Sequence, residues 1–283
     1  MCKAQVFACA TWRHMLLAAI AAVVLSSVGP AQAATLDEIK KRGYLLVATE
    51  DDYKPFEFVQ DGKPTGFDNE LLELLKKHAP FEVRQDIIPW TSLLAGVSTG
   101  KYDVALTAAL ITKERAKSLD FTMPIADATH YFVKRKGDQS IKEIKDLNGK
   151  ILGIQAGSGL LQRLPELEAM LAQKGGKIGK VVEYTSYPEA YQDLALKRTD
   201  FVINTVINLQ ALVKEKPTVF EVGLPVSGKS YPAWAVAKGN AELLGFLNGF
   251  LAEQKKNGTF AKLQEKWFGQ AFPDLPAQWE PEF

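Results

Sequence analysis

An α/β fold built from two units is predicted by three observations. Segments with strand and helix character alternate along the chain with short connections, the pattern of a mostly parallel sheet covered by helices. The rhythm restarts after Gly137-Asp138. No segment repeats at a solenoid period. Two α/β units joined near residues 127–131 and 229–232 fit this pattern better than one continuous sheet.

The elements follow in order. Leu36 to Arg42 reads as a short helix closed by Gly43, because glycine accepts the left-handed backbone that ends a helix. Tyr44 to Thr49 is a strand. Pro55 and Asp61-Gly62 mark a loop and a hairpin turn. Between Asp68 and His78, apolar residues at 71, 72, 74 and 75 form a helical stripe. Phe81 to Ile88 is a strand, Trp90 to Thr99 a helix stopped by Gly100, Asp103 to Thr107 a strand, and Thr112 to Lys117 a short helix. In the second unit Ile141 to Leu147 is helical, Ile151 to Ile154 is a strand, and Gly157-Ser158-Gly159 opens a helix. Lys180 to Tyr184, Tyr187 to Lys197 and Asp200 to Asn204 continue as strand, helix and strand. Ala233 to Ala237 is a strand, and Ala241 to Trp267 is helical.

Composition narrows the class. The 283 residues are 47% hydrophobic and 24% charged, which is globular and neither disordered nor multi-span. With 34 basic and 33 acidic residues the net charge is +1, so no bulk field selects nucleic acid. Lys3 and Arg13 precede a short apolar run, Met15 to Leu25, which is followed by Ala31-Gln32-Ala33. That is the form of a cleavable export signal over residues 1–33. Cleavage after Ala33 removes two basic residues, leaving 32 basic against 33 acidic, a net of −1. It also removes both cysteines, Cys2 and Cys9, so an exported protein would rest on its core rather than on disulfides. Thiol chemistry and cysteine metal sites are excluded. His78 and His130 alone suggest no metal site and read as surface or hinge residues. No cofactor is expected.

Several segments resemble one family in an ordered series. Thr49-Glu50-Asp51-Asp52-Tyr53-Lys54-Pro55-Phe56-Glu57-Phe58 is similar to the first binding loop of the polar amino-acid-binding proteins, the periplasmic solute receptors of ABC importers. Gly66-Phe67-Asp68-Asn69-Glu70-Leu71 resembles their helix signature, departing from it at Asn69. Gly100-Lys101-Tyr102-Asp103-Val104, Thr112-Lys113-Glu114-Arg115 and Asp120-Phe121-Thr122 before Pro124 are further landmarks. The resemblance covers nearly all of residues 34–270. It implies a two-lobed type II periplasmic-binding-protein fold, with a ligand cleft between lobes joined by a two-strand hinge. The first lobe is expected over residues 34–129 and 231–283, the second over 130–230. A monomer in the periplasm, delivering a small carboxylate or amino acid to an inner-membrane ABC permease, is the implied function.

The same resemblance assigns roles. Arg115 matches the arginine that clamps a ligand carboxylate, a task suited to a planar fork of donors. Tyr53 and Trp90 match aromatic or large apolar positions that pack on the ligand. Glu50 matches an acid that meets a distal cationic group. Ser158 and Gly159, in a glycine turn after a strand, would complete the carboxylate site with backbone N–H groups. Ala108 and Leu110 stand where small hydroxyl residues are usual, so backbone groups would serve there. Thr205 falls near the acid that normally pairs with the ligand ammonium, and Asp200 to Asn208 holds no carboxylate after Asp200. A buried ammonium without an anion is costly. The ligand either lacks an α-amino group or has it satisfied by Glu50, aromatic faces and carbonyls. Two other readings compete. One is a periplasmic enzyme on the same fold, similar to cyclohexadienyl dehydratase, with Asn208 at its acid's place. The other is an accessory or sensory binding module.

Overall fold

The computed structural model describes residues 33–281. The expected export signal, with Cys2 and Cys9, lies outside them except for Ala33. Helix α1 (Leu36–Arg42) opens on a capping box between Thr35 and Glu38 and closes on Gly43, whose φ of 83° is left-handed. Strand β1 (Tyr44–Thr49) follows. Strands β2 (Asp52–Tyr53), β3 (Glu57–Gln60) and β4 (Lys63–Thr65) form a small antiparallel sheet. Its Asp61-Gly62 turn has φ of 52° and 73°, the left-handed pair that a two-residue hairpin requires. Then come α2 (Phe67–His78), β5 (Glu82–Ile87), α3 (Trp90–Ser98), β6 (Val104–Leu110) and β7 (Leu119–Phe121).

The second half runs β8 (His130–Arg135), β9 (Ile151–Gln155), α4 (Leu164–Ala172), β10 (Lys180–Tyr184), α5 (Tyr187–Ala195), β11 (Phe201–Thr205), α6 (Val206–Glu215) and β12 (Phe220–Pro225). Strand β13 (Pro232–Ala237) returns to the first sheet, and α7 (Ala241–Lys256) and α8 (Thr259–Phe268) complete it.

Two five-stranded sheets result, ordered β5-β1-β6-β13-β7 and β10-β9-β11-β8-β12. In each, four strands run one way and one is opposed: β13 in the first, β8 in the second. Each opposed strand is the first after the chain crosses between sheets. The crossing segments are bound to each other: Ala128 N–H donates to Ser230 O at 2.8 Å and Ile125 N–H to Pro232 O at 3.0 Å. Each sheet has its own core. Phe67, Leu71, Trp234 and Phe250 centre the first lobe, and Phe132, Leu152, Leu194 and Phe201 the second. Each such side chain contributes about 1.5–3 kcal/mol when removed from water.

Five elements were not anticipated: β2, β7, β8, α6 and β12. Strand β11 and helix α6 meet at Thr205 with no loop between them, since Thr205 ends the strand and caps the helix. The apolar run therefore carries no punctuation. The helix expected at Thr112 to Lys117 is only a 3-10 turn, Arg115–Lys117. The C-terminal helical stretch is broken at Gly258, which has a φ of 79°. Asn69 is explained structurally. Its Nδ2 donates to Thr65 O at 2.8 Å, and its Oδ1 accepts from Gln85 Nε2 at 2.7 Å. Gln85 also donates to Thr49 Oγ1 at 2.8 Å, tying α2 and β5 to the end of β1.

Candidate functional site

The parallel strands β1, β6, β9 and β11 end at Thr49, Leu110, Gln155 and Thr205. Ligand sites in open α/β sheets lie beyond such carboxyl ends. Here the ends from both sheets border one cavity. Glu50, Tyr53, Trp90, Ala108, Leu110, Arg115, Ser158, Gly159 and Thr205 all line it. The strand period accounts for part of this. Ala108 and Leu110 share one face of β6, while Thr107 on the other face donates its hydroxyl to Glu57 Oε1.

Arg115 is 9% exposed. Its Nη1 donates to Leu110 O at 2.8 Å, and its Nη2 donates to Gly157 O of the second lobe at 3.0 Å. The guanidinium carbon lies 5.0 Å from the Trp90 ring centroid, within cation–π range. Among the described residues no carboxylate pairs with it. Burial lowers its pKa to about 10, against the opposing influence of Tyr53, Tyr187 and Glu50. It remains a cation at neutral pH.

Glu50 follows β1 and is 3% exposed. Burial pushes its carboxyl well above the usual range, Asp52 and Asp51 push it further, and Arg115 opposes them. Tyr53 stacks on Phe56, the cavity floor, with centroids 5.7 Å apart. Ser158 caps the 3-10 turn Gly159–Arg163, its Oγ accepting from Leu160 N–H at 3.2 Å. The Thr205 hydroxyl is already engaged: it accepts from Asn208 N–H at 3.3 Å and donates to Asn208 Oδ1.

Three polar lining residues escaped the sequence reading: His130, Gln155 and Tyr187. Gln155 ends β9 and His130 begins the opposed strand β8, so both stand at the ligand-side edge of the second sheet. The strand-end rule flags Gln155; nothing local flags His130. Tyr187 is the first residue of α5, capped by Ser186, and its hydroxyl lies 3.4 Å from Ser158 Oγ.

A larger cavity adjoins the first and shares Tyr53 and Tyr187 with it. Asp51, Asp52, Tyr191 and Asn208 are on its walls. Burial, Asp51 and Glu189 raise the Asp52 carboxyl to about 6. Among the described residues, no cluster of His, Cys, Asp or Glu has metal-holding geometry, and no helix is long and apolar enough to cross a membrane.

Two lobes, each a five-stranded sheet with covering helices, around a small polar and aromatic cavity define a type II periplasmic-binding-protein fold. Residues 45–270 match the family model "Bacterial extracellular solute-binding proteins, family 3", and the chain belongs to that family. It is 34% identical to the L-cystine-binding protein TcyJ of Escherichia coli (strain K12), over 83% of this chain and 86% of the relative. Among solved structures it is similar to an ancestral arginine-binding protein bound to arginine, with 37% identity, a TM-score of 0.70, and 81% and 99% of the two chains covered. It is also similar to the ancestral amino acid-binding protein AncCDT-1, a precursor of cyclohexadienyl dehydratase, with 32% identity, a TM-score of 0.72, and 83% and 100% covered.

Proposed function

We propose that this protein is the monomeric periplasmic receptor of an ABC importer and that it takes an amino acid or related carboxylate into the interlobe cavity. The observation that carries this is Arg115. It is a buried guanidinium on the cavity wall, under an indole and without a carboxylate partner among the described residues. A planar fork in a water-poor site suits a solute carboxylate, and neutralising that buried cation is the gain on binding. Trp90 and Tyr53 supply contact area to the solute, and Glu50 meets its cationic group. Ser158 and Gly159 approach the carboxylate from the second lobe, and Ala108, Leu110 and Thr205 border it. Relatives that bind cystine and arginine support an amino acid as the solute class.

The lobes, residues 34–129 with 231–283 and residues 130–230, close by rotation at the crossings near 127–131 and 229–232. A non-catalytic role is supported by Asn208. Its Nδ2 donates to Lys54 O at 2.6 Å and its Oδ1 accepts from Thr205, so this side chain is spent on holding the lobes together.

Calorimetric titration of wild type and Arg115→Ala with L-arginine, L-glutamine and L-cystine tests the reading. Losing one partner of a buried charged pair costs about 2–5 kcal/mol, roughly 30- to several-thousand-fold in affinity. Equal affinity in the variant rejects the clamp.

A further inference from the structure

The second lobe contributes no carboxylate to the cavity wall. Its polar side chains there are His130, Gln155, Ser158, Tyr187 and Thr205. His130 stands directly opposite Thr205 in the antiparallel pairing of β8 with β11. Directly opposed residues share a sheet face, with Cβ atoms about 5 Å apart. The Thr205 hydroxyl is engaged by Asn208, as described above. His130 differs: it is 1% exposed, and its Nε2 has no hydrogen-bond partner among the described residues. A buried polar atom without a partner is costly and calls for an explanation. Its backbone is well held, with N–H donating to Ser227 Oγ at 3.1 Å and the carbonyl accepting from Val226 at 2.8 Å. The His130 main chain is therefore fixed at the wall, with the side chain among the residues that line the cavity. Burial, and secondarily the charge of Arg163, keep the imidazole neutral.

We propose that His130 is a specificity-setting ligand contact: its Nε2 hydrogen-bonds the polar group next to the solute carboxylate, so that α-hydroxy acids bind alongside α-amino acids. This rests on the receptor reading above. A neutral imidazole nitrogen serves a hydroxyl in either tautomer, because a hydroxyl both donates and accepts. An ammonium only donates, and a neutral partner supplies it no counter-charge. Among the described residues the cavity holds one acid, Glu50 on the first lobe, and one cation, Arg115. An amine thus gains little over a hydroxyl at the second-lobe wall. His130 also borders a small hollow toward Arg163 and Ser227, and an imidazole turned that way would answer no solute.

The test uses the exported protein with L-arginine, L-glutamine and L-cystine as probes, then the α-hydroxy counterpart of whichever binds most tightly. Calorimetry on wild type, His130→Gln and His130→Leu is combined with imidazole 15N NMR, and melting temperature reports folding. The hydroxy acid is expected within roughly tenfold of the amino acid. His130→Leu is expected to weaken both by roughly tenfold or more, the scale of one neutral hydrogen bond in a closed site. His130→Gln keeps a neutral hydrogen-bonding group and stays within a few-fold. The Nε2 resonance shifts when the probe binds. If a probe binds and Nε2 does not move, or if His130→Leu binds as wild type does, the proposal falls while the receptor reading stands. A hydroxy acid weaker by more than a hundredfold also overturns it and points to Glu50 as the amine's partner. If none of the three probes binds, the amino-acid reading fails and this inference fails with it.

Discussion

Tyr53 of the first lobe and Tyr187 of the second stack across the cleft, ring centroids 6.1 Å apart and planes 28° from parallel. Phe56 extends the row at 5.7 Å on one side and Tyr191 at 5.8 Å on the other. An aromatic row thus crosses the interlobe boundary and walls the smaller cavity from the larger. Two other contacts bridge the lobes beside it: the Lys54–Glu215 ion pair at 3.0 Å, and the Asn208 amide bond to Lys54 O. Both charged side chains of the ion pair are about half exposed, so water and salt screen it. The rings and the buried amide outweigh it.

Tyr187→Ala should therefore loosen closure more than Lys54→Ala does. A stacked aromatic pair is worth about 0.5–1.5 kcal/mol beyond its buried area, which is several-fold in affinity. Small-angle scattering at saturating solute should show a larger radius of gyration for Tyr187→Ala and an unchanged one for Lys54→Ala. The reverse order would mean that the ion pair holds the cleft.

Gly159→Ala should act as a wedge. A Cβ at Gly159 would lie 2.9 Å from Leu110 Cδ2, 3.1 Å from Leu110 Cβ and 3.2 Å from Arg115 Nη1. These atoms belong to the opposite lobe, so the methyl opposes closure rather than folding. Affinity should drop while the melting temperature of the unliganded protein changes little. A loss of melting temperature without a loss of affinity would contradict this.

Glu57 and Asp68 form a buried acidic pair behind the cavity floor. Thr107 donates to Glu57, and Trp234 Nε1 donates to Asp68 at 2.7 Å. Burial raises both carboxyls, Asp68 to about 6. A raised carboxyl keeps its proton in the folded chain after the unfolded chain has lost it. The native state therefore binds more protons above about pH 4, up to about pH 6 for Asp68 and further up for Glu57, and stability falls as pH rises through that range. Glu57→Gln should lessen this fall and raise the melting temperature at pH 7.5 relative to wild type. Parallel pH profiles of the two proteins would refute the pair's contribution.

Motif-bearing positions were legible because they sit beside glycine, proline or charge at strand ends, where local sequence announces a loop. Glu50, Arg115 and Ser158 are of this kind. His130 was not legible, because its importance lies in burial and in the absence of a partner for Nε2, which only the packed fold creates. Strand β8 was hidden for a related reason. Its Lys134 and Arg135 look like solvent charges, yet Lys134 pairs with Glu221 at 2.7 Å and Arg135 donates to Thr199 O at 2.7 Å. Neither partner is near in sequence.

Thr205→Asp tests what the second-lobe wall selects. The new carboxylate would face the cavity opposite His130. It would keep the helix cap, since aspartate accepts from a backbone N–H as threonine does. It would lose the hydroxyl donated to Asn208 Oδ1 and set two acceptors against each other. Turning the Asn208 amide relieves that clash only by breaking its bond to Lys54 O, so the interlobe contact weakens. An overall drop in affinity is therefore expected for solutes of every kind. Selectivity should move the other way. A buried carboxylate accepts a hydrogen bond from a hydroxyl or from an ammonium, but only the ammonium also brings the opposite charge and completes an ion pair. The ratio of amino-acid to hydroxy-acid affinity should rise by about tenfold or more, on the scale of one such bond. Calorimetry with an amino acid and its hydroxy counterpart gives that ratio directly, independent of the common loss. An unchanged ratio would show that the polar group beside the solute carboxylate does not lie against Thr205.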